Sequence, residues 1–289
     1  MVSFLLSAFA VAMALLPVGF HWNPHDWKEL ACVLLELFSI LIILLIVVQA
    51  NVWGWHQRWI DYRLIAELIF HLRIVAPLGG ASAFPQLPAH WQSYGQPAAT
   101  WMAWYVRAIE RRLGLPDAQV NQGYLLEELG RLKHHVEGQV DYHHLTAKRY
   151  QRIEWCLFVA GLLLLVATLG CCIGHAVPFI SHDWHLPESM PHWLTFCCGF
   201  FPALGAAFAG LVNQGEFRRI EKRSESMVQQ LKLLIAEIDR LQTRMAEDQS
   251  GRQYSPDVLE LASRTARTML NEVLDWRVVF LDRPIHPPV

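Results

Sequence analysis

The chain has 289 residues, of which 53% are hydrophobic and only 17% charged, with a mean hydropathy of +0.23. A net charge of −2 gives no reason to expect a nucleic-acid partner, because phosphate binding needs a concentrated basic surface, and six cysteines are too few for a disulfide scaffold. The balance is that of a membrane protein with sizeable water-facing parts.

Four stretches reach the roughly 20 apolar residues that a helix needs to cross a hydrocarbon core. They are Val2 to Phe20, Leu30 to Ala50, Trp155 to Gly174 and Trp193 to Val212. Lys and Arg sort sharply among the segments between them. Residues 21–29 hold only Lys28 and residues 176–192 hold none, whereas residues 51–154 hold eleven and the segment after 213 holds twelve. The positive-inside rule therefore predicts a multi-pass membrane protein with two short outer loops and both chain ends cytoplasmic. Trp22, Trp27, Trp184 and Trp193 fall at the expected outer interface, and Trp53, Trp55 and Trp155 at the inner one, where amphipathic rings belong. A cleaved signal peptide is the rival reading of the first span, since Ala8, Ala10, Ala12 and Ala14 are small enough for a cleavage site. No positive charge precedes Lys28, which argues against it. A chain that enters the membrane from Met1 also points to a longer protein with an upstream cytoplasmic domain.

After the second span, Val52, Trp55, Trp59, Tyr62, Ala66, Ile69, Arg73 and Ala76 recur at steps of three and four, which predicts one face of a helix leaving the membrane without a break. Arg63 and Glu67 form an i,i+4 pair on the other side. The Pro-, Gly- and Ser-rich run from Pro77 to Thr100 reads as a loop. A short helix follows from Trp101 to Leu113, ended by Gly114 and Pro116. From about Gly123 to the third span the stripe Leu125, Leu129, Leu132, Val136 sets a helical period that turns polar at Gln139, His143 and Thr146. Gly138 costs this helix roughly 1 kcal/mol against alanine.

The fourth span carries the longest pattern. Gly199, Ala203, Ala206, Gly210, Asn213, Phe217, Ile220, Ser224, Met227, Leu231, Leu234, Ile238, Leu241 and Met245 fall on one stripe of alternating steps of four and three. Small residues within the bilayer let backbones approach closely, and large apolar ones below it suit a water-facing coiled coil. The stripe either packs inside one chain's bundle or joins copies in a homo-oligomer, and it can be shared; Pro202 can kink it. A last helix starts at Ser255 and Pro256, with Val258, Ala262, Thr265, Met269, Val273, Trp276 and Phe280 as its apolar face. The expected fold is an all-α membrane protein. A first transmembrane hairpin takes residues 1–52, a cytoplasmic helical segment 53–154, a second hairpin 155–213, and a cytoplasmic coiled coil with its terminal helix 214–289.

Glu36 is an ionisable residue inside the second span, where such a group costs at least ~2.5 kcal/mol and marks a polar pathway or a protonated, water-reached side chain. With Asn213 it is the candidate pore or intramembrane polar residue. His21, His25, His175, His182, His185 and His192 gather on or beside the outer loops without a recognised metal spacing, so no metal is assigned. His134, His135, His143 and His144 lie with Glu137 and Asp141 on a helix, but not as His-Glu-x-x-His, and read as a solvated face. All six cysteines lie within spans, where cysteine acts as a small apolar residue. Cys171 or Cys172 and Cys197 or Cys198 come at similar depth, so a link between spans three and four is open. No P-loop, dinucleotide fingerprint, nucleophile elbow or Cys-x-x-Cys pair is present, so neither catalysis nor a cofactor is expected.

The run Trp59-Ile60-Asp61-Tyr62-Arg63-Leu64-Ile65-Ala66-Glu67-Leu68 and the ending Asn271-Glu272-Val273-Leu274-Asp275-Trp276-Arg277 resemble bacterial membrane proteins of the SLATT type, and similar segments accompany RyR-like sensor domains. The likeness runs from about Leu30 to Phe280. It implies an antiphage or cell-suicide effector, in which a cytoplasmic sensor domain or nucleotide signal rearranges the helices and the spans assemble into a pore. This chain departs from the two-span plan of that type by an extra apolar pair, and no sensor domain is seen in it. A non-conducting anchor for a sensor is the alternative, and a channel or transporter subunit, for which Glu36 and Ser39 offer little substrate path, ranks third.

Overall fold

The computed structural model describes residues 2–22, 27–53, 55–80, 100–114, 117–180, 187, 189–248 and 252–281. Among these no strand occurs. Eight α-helices follow in order: α1 Val2–Phe20, α2 Trp27–Trp53, α3 Trp55–Val75, α4 Trp101–Leu113, α5 Gln122–Ile180, α6 Met190–Gly215, α7 Phe217–Glu247 and α8 Ser255–Leu281, with a short 3-10 turn at Ala76–Leu78. They form two compact units, and α5 and α7 contribute to both.

One unit holds α1, α2, α6, the part of α5 from Lys148 onward and the start of α7. Helices α1, α2, α5 and α6 are each long and apolar enough to cross a membrane. The first helix packs against both α2 and α6. What is buried there is mostly small: Ala8, Ala10 and Gly19 of α1, Cys32, Ser39 and Ala50 of α2 and Ala207 of α6, with Leu211 of α6 and Phe217 of α7 as the large exceptions. A Cβ added to Gly199 would lie 2.6 Å from Leu15, and one added to Gly210 would lie 2.4 Å from the Phe4 ring, so these two glycines let α1 and α6 approach closely. At one end of this helix pair the rings of Phe20 and Trp193 meet edge-on at 4.7 Å, while Phe20 stacks on Trp22 at 5.4 Å. Large side chains such as Phe38, Leu44, Leu163 and Leu165 face outward.

The other unit reverses this arrangement and buries its large residues. Leu125, Leu129, Leu132 and Val136 of α5, Met227 through Met245 at seam spacing on α7, and Val258, Leu261, Ala262 and Met269 of α8 form one core. Leu64, Ile65 and Leu68 of α3, Met102 and Val106 of α4, and Leu270, Val273 and Leu274 of α8 form a second. Lys133 pairs with Asp239 at 2.7 Å, and Arg264 pairs with Glu237, at exposed edges where such contacts contribute little.

One expectation changes, one is refined and one falls outside the described residues. The aromatic stripe Trp55, Trp59, Tyr62, Ala66 and Ile69 is the exposed face of α3; the packed face is Ile60, Leu64, Leu68, Leu72 and Val75. Both stripes keep a helical period, and the aliphatic one wins because it matches the neighbouring apolar faces of α4 and α8. The expected unbroken passage from α2 to α3 falls on Gly54, outside the described residues. The stripe through the fourth span is not one rod: Glu216 stands in the left-handed region, φ 47°, between α6 and α7.

The α7 core makes a quantitative contrast. Leu231→Ala, at a fully buried position, is expected to cost about 2–5 kcal/mol, whereas Leu233→Ala, exposed two residues away, stays within about 0.5 kcal/mol. Thermal unfolding of the full chain in detergent checks both; equal losses would contradict this packing.

Candidate functional site

Within the apolar unit, α5 meets the first residue of α7 at one level and α6 at another, and a gap separates α5 from α6 between them. The Tyr150 and Phe217 rings lie 5.7 Å apart at one level. At the other, the sulfurs of Cys172 and Cys198 are 3.6 Å apart, and Gly174 stands against Leu194. Between these levels lies an open cleft of about 1020 Å³, at the upper end of the range for ligand pockets. Trp155, Phe158, Gly161, Leu162, Leu165 and Thr168 form one wall; Phe201, Pro202, Gly205, Ala206, Ala209, Val212 and Asn213 form the other. Gln151, Glu154, Arg218 and Glu221 make one end polar. The cleft is open where its walls carry glycine: no heavy atom lies within 4 Å of a Cβ built on Gly161 or Gly205.

The stripe from Gly199 to Asn213 straddles two interfaces. Gly199 and Gly210 face α1, whereas Ala206 and Asn213 are exposed on the cleft wall, with Ala203 partly buried between. Beyond the break, Phe217, Leu231, Leu234, Ile238 and Leu241 are buried and Ile220 is partly buried. Glu36 is half-buried on the face of α2 that also carries the buried Cys32 and Ser39, and Ser39 donates its hydroxyl to the Leu35 carbonyl at 2.7 Å. Glu36 and Asn213 thus belong to different helix faces and make no joint site. Of the outer histidines, His21 and His192 bring their rings to 4.3 Å, and His175 is exposed on α5. His25, His182 and His185 lie outside the described residues. Among the described residues no group of three His, Cys, Asp or Glu side chains is placed to hold a metal.

The other unit holds a cluster of polar side chains, of which His71 was not singled out by the sequence. His71 of α3 is 3% exposed, and neither ring nitrogen has a hydrogen-bond partner. Burial, reinforced by the Arg267 charge, lowers its pKa to about 4. His143 of α5 is also buried, which corrects its reading as part of a solvated face; His134 and His144 are exposed as expected. Its Nε2 lies 3.9 Å from Glu272. Burial lowers the His143 pKa while Glu272 opposes the shift and Arg63 adds to it. Burial likewise raises the Glu67 carboxyl, with Arg63 lowering it and Glu272 raising it. The His135 ring meets Phe70 at 4.4 Å, tilted by 43°, and its pKa is lowered by burial, then by Arg73 and His134. One signal for His71 was present in the sequence: it interrupts the aliphatic stripe of α3 between Leu68 and Leu72.

No known family, no curated protein and no solved structure matches this chain.

The three lowered histidines set a direction for pH dependence. An imidazole held at about 4 when folded, against ~6.5 when unfolded, binds fewer protons in the folded state between those values. Stability from His71 is therefore complete above pH ~6.5 and is lost as pH falls toward 4, by up to about 3 kcal/mol. Hydrogen exchange of the α3 and α8 amides should accelerate at pH 5 relative to pH 7 after correction for intrinsic rates. His71→Leu should remove much of that acceleration; an unchanged pH response would remove His71 from the account.

Proposed function

We propose that the chain is an oligomeric effector of the bacterial inner membrane, its four apolar helices crossing as two hairpins with both chain ends cytoplasmic. On a cytoplasmic signal, from a sensor domain or a nucleotide messenger, copies associate through the α5 and α6 cleft and permeabilise the membrane. One observation carries this reading: the cleft is walled by Gly161, Gly205, Ala206 and Ala209, residues small enough to admit a helix from a second copy. The exposure of Trp155, Phe158, Leu162 and Leu165 supports it, because a unit whose own helices leave this surface open has contacts still to make. The resemblance to SLATT-type proteins supplies the antiphage context.

A non-conducting anchor is the second reading. What favours it is the α7 seam, which is already covered by α5 and α8 of the same chain and so is not left over for joining copies. The water-facing bundle would then serve as a folded platform for a sensor.

Gly205→Leu and Ala206→Leu place bulk in open space, so they should leave α1 and α6 in contact and the chain inserted. Gly210→Leu drives a side chain into Phe4 and disturbs that contact, by about 1–3 kcal/mol. The effector reading expects cells expressing the parent chain with its signal to lose membrane potential, and expects the Gly205→Leu and Ala206→Leu variants to keep it. A steady potential in the parent under activation would leave the anchor reading standing.

A further inference from the structure

The two vicinal cysteine pairs, Cys171-Cys172 on α5 and Cys197-Cys198 on α6, face each other across the helix pair. The sulfurs of Cys172 and Cys198 are 3.6 Å apart although 26 residues separate them, and the Cys171 and Cys197 thiols also share a hydrogen bond. A disulfide needs about 2.05 Å between sulfurs. The two sulfurs already stand in contact, which distinguishes this pair from thiols that merely share a depth.

We propose that Cys172 and Cys198 are a dithiol site, oxidised to an interhelical disulfide by a lipid-soluble quinone. The step balances: two S–H bonds break, one S–S bond forms, and the two electrons and two protons pass to the quinone, which leaves as quinol. The site's place selects the oxidant. Cys172 lies five residues inside the apolar stretch of α5 that ends at Val177, about 8 Å along the helix, and Cys198 lies eight residues into α6, about 12 Å. No Asp, Glu, Lys or Arg occurs from Trp155 to Gly174 or from Met190 to Gln214. Thiolates are disfavoured in such surroundings, and water-soluble disulfides, which react through thiolate, reach them poorly. A quinone dissolved in the lipid meets the exposed flank of Cys172 directly. The link would fasten one end of the α5 and α6 cleft, leaving its walls unaltered. This inference rests on the reading that these helices cross a bilayer and does not depend on whether the protein permeabilises it.

The experiment uses the full chain, reduced and reconstituted in phospholipid vesicles under argon. Flotation with the vesicles tests the membrane reading separately. Decylubiquinone, whose ring carries no free position for thiol addition, is the probe. The expected result is one quinol per chain and a peptide linked through Cys172 and Cys198, found by mass spectrometry after alkylation of the remaining thiols. Cys172→Ser and Cys198→Ser should each abolish that linked peptide, while Cys32→Ser and Cys156→Ser leave it. Full alkylation of all six thiols after quinone treatment of floated protein would overturn the proposal. So would a link that iodine makes and the quinone does not, since the quinone would then not be the acceptor.

Discussion

The solvent around each helix decides which of its residues can be hidden, and that constraint organises the whole chain. Water drives large apolar side chains inward, and the bundle of α3, α4, α7 and α8 with the first part of α5 obeys it: Leu129, Leu231, Ile238 and Leu270 are fully covered. The four long apolar helices pack differently, through residues that let backbones come close, the kind of contact that suits helices in hydrocarbon. Gly199 against Leu15 and Gly210 against Phe4 are contacts of that kind. The leucines of α5, such as Leu163 and Leu165, are left at the surface.

The cleft follows from the same rule. The space between α5 and α6 is open at Gly161 and Gly205, where neither helix offers a side chain. It ends where side chains do reach across, at Tyr150 with Phe217 and at Cys172 with Cys198. Pro202 adds to the opening on the α6 side, because it has no N–H to give to the carbonyl of Cys198 and so weakens the helix ladder along the wall. A gap of this size would be a serious defect in a water-soluble core, where each empty volume costs stability.

Much of this was legible in the sequence, and the reasons are local. Runs of twenty apolar residues have one physical solution, so the four long apolar helices could be read directly. The bounds of α4 and the start of α8 were marked by Gly114 and by Ser255 with Pro256, whose backbone preferences act within a few residues. What could not be read depended on partners far along the chain. The charges that act on His71 and His143 come from Arg267 and Glu272 of α8, some 130 to 200 residues later, and no local rule announces them. The packed face of α3 was ambiguous for a related reason: two stripes with one period compete until α4 and α8 choose between them. Among the cysteines, similar depth was visible. That Cys172 rather than Cys171 meets Cys198 depends on helix rotation, which a linear count leaves undetermined.

The break at Glu216 shows how a long periodic stripe can mislead. A count of threes and fours runs from Gly199 to Met245 without a fault, yet it assumes that every residue turns the chain by the same right-handed step. Glu216 does not. Its positive φ would suit Gly215 better by sterics alone, since a side chain in this region is crowded against its own backbone. The position is held instead by bonds available to Glu216. Its carbonyl accepts the N–H groups of Arg219 and Ile220 at 2.9 and 3.0 Å, and its carboxylate takes the Arg219 guanidinium at 3.0 Å. These contacts satisfy the first orphan donors of α7 as a cap does. Gly215 must in turn remain bare, because a Cβ there would lie 2.5 Å from the Phe217 ring. The stripe is therefore two stripes, each with its own physical cause, small residues above the break and large ones below it. Its apparent continuity comes from counting through a residue that resets the helical phase.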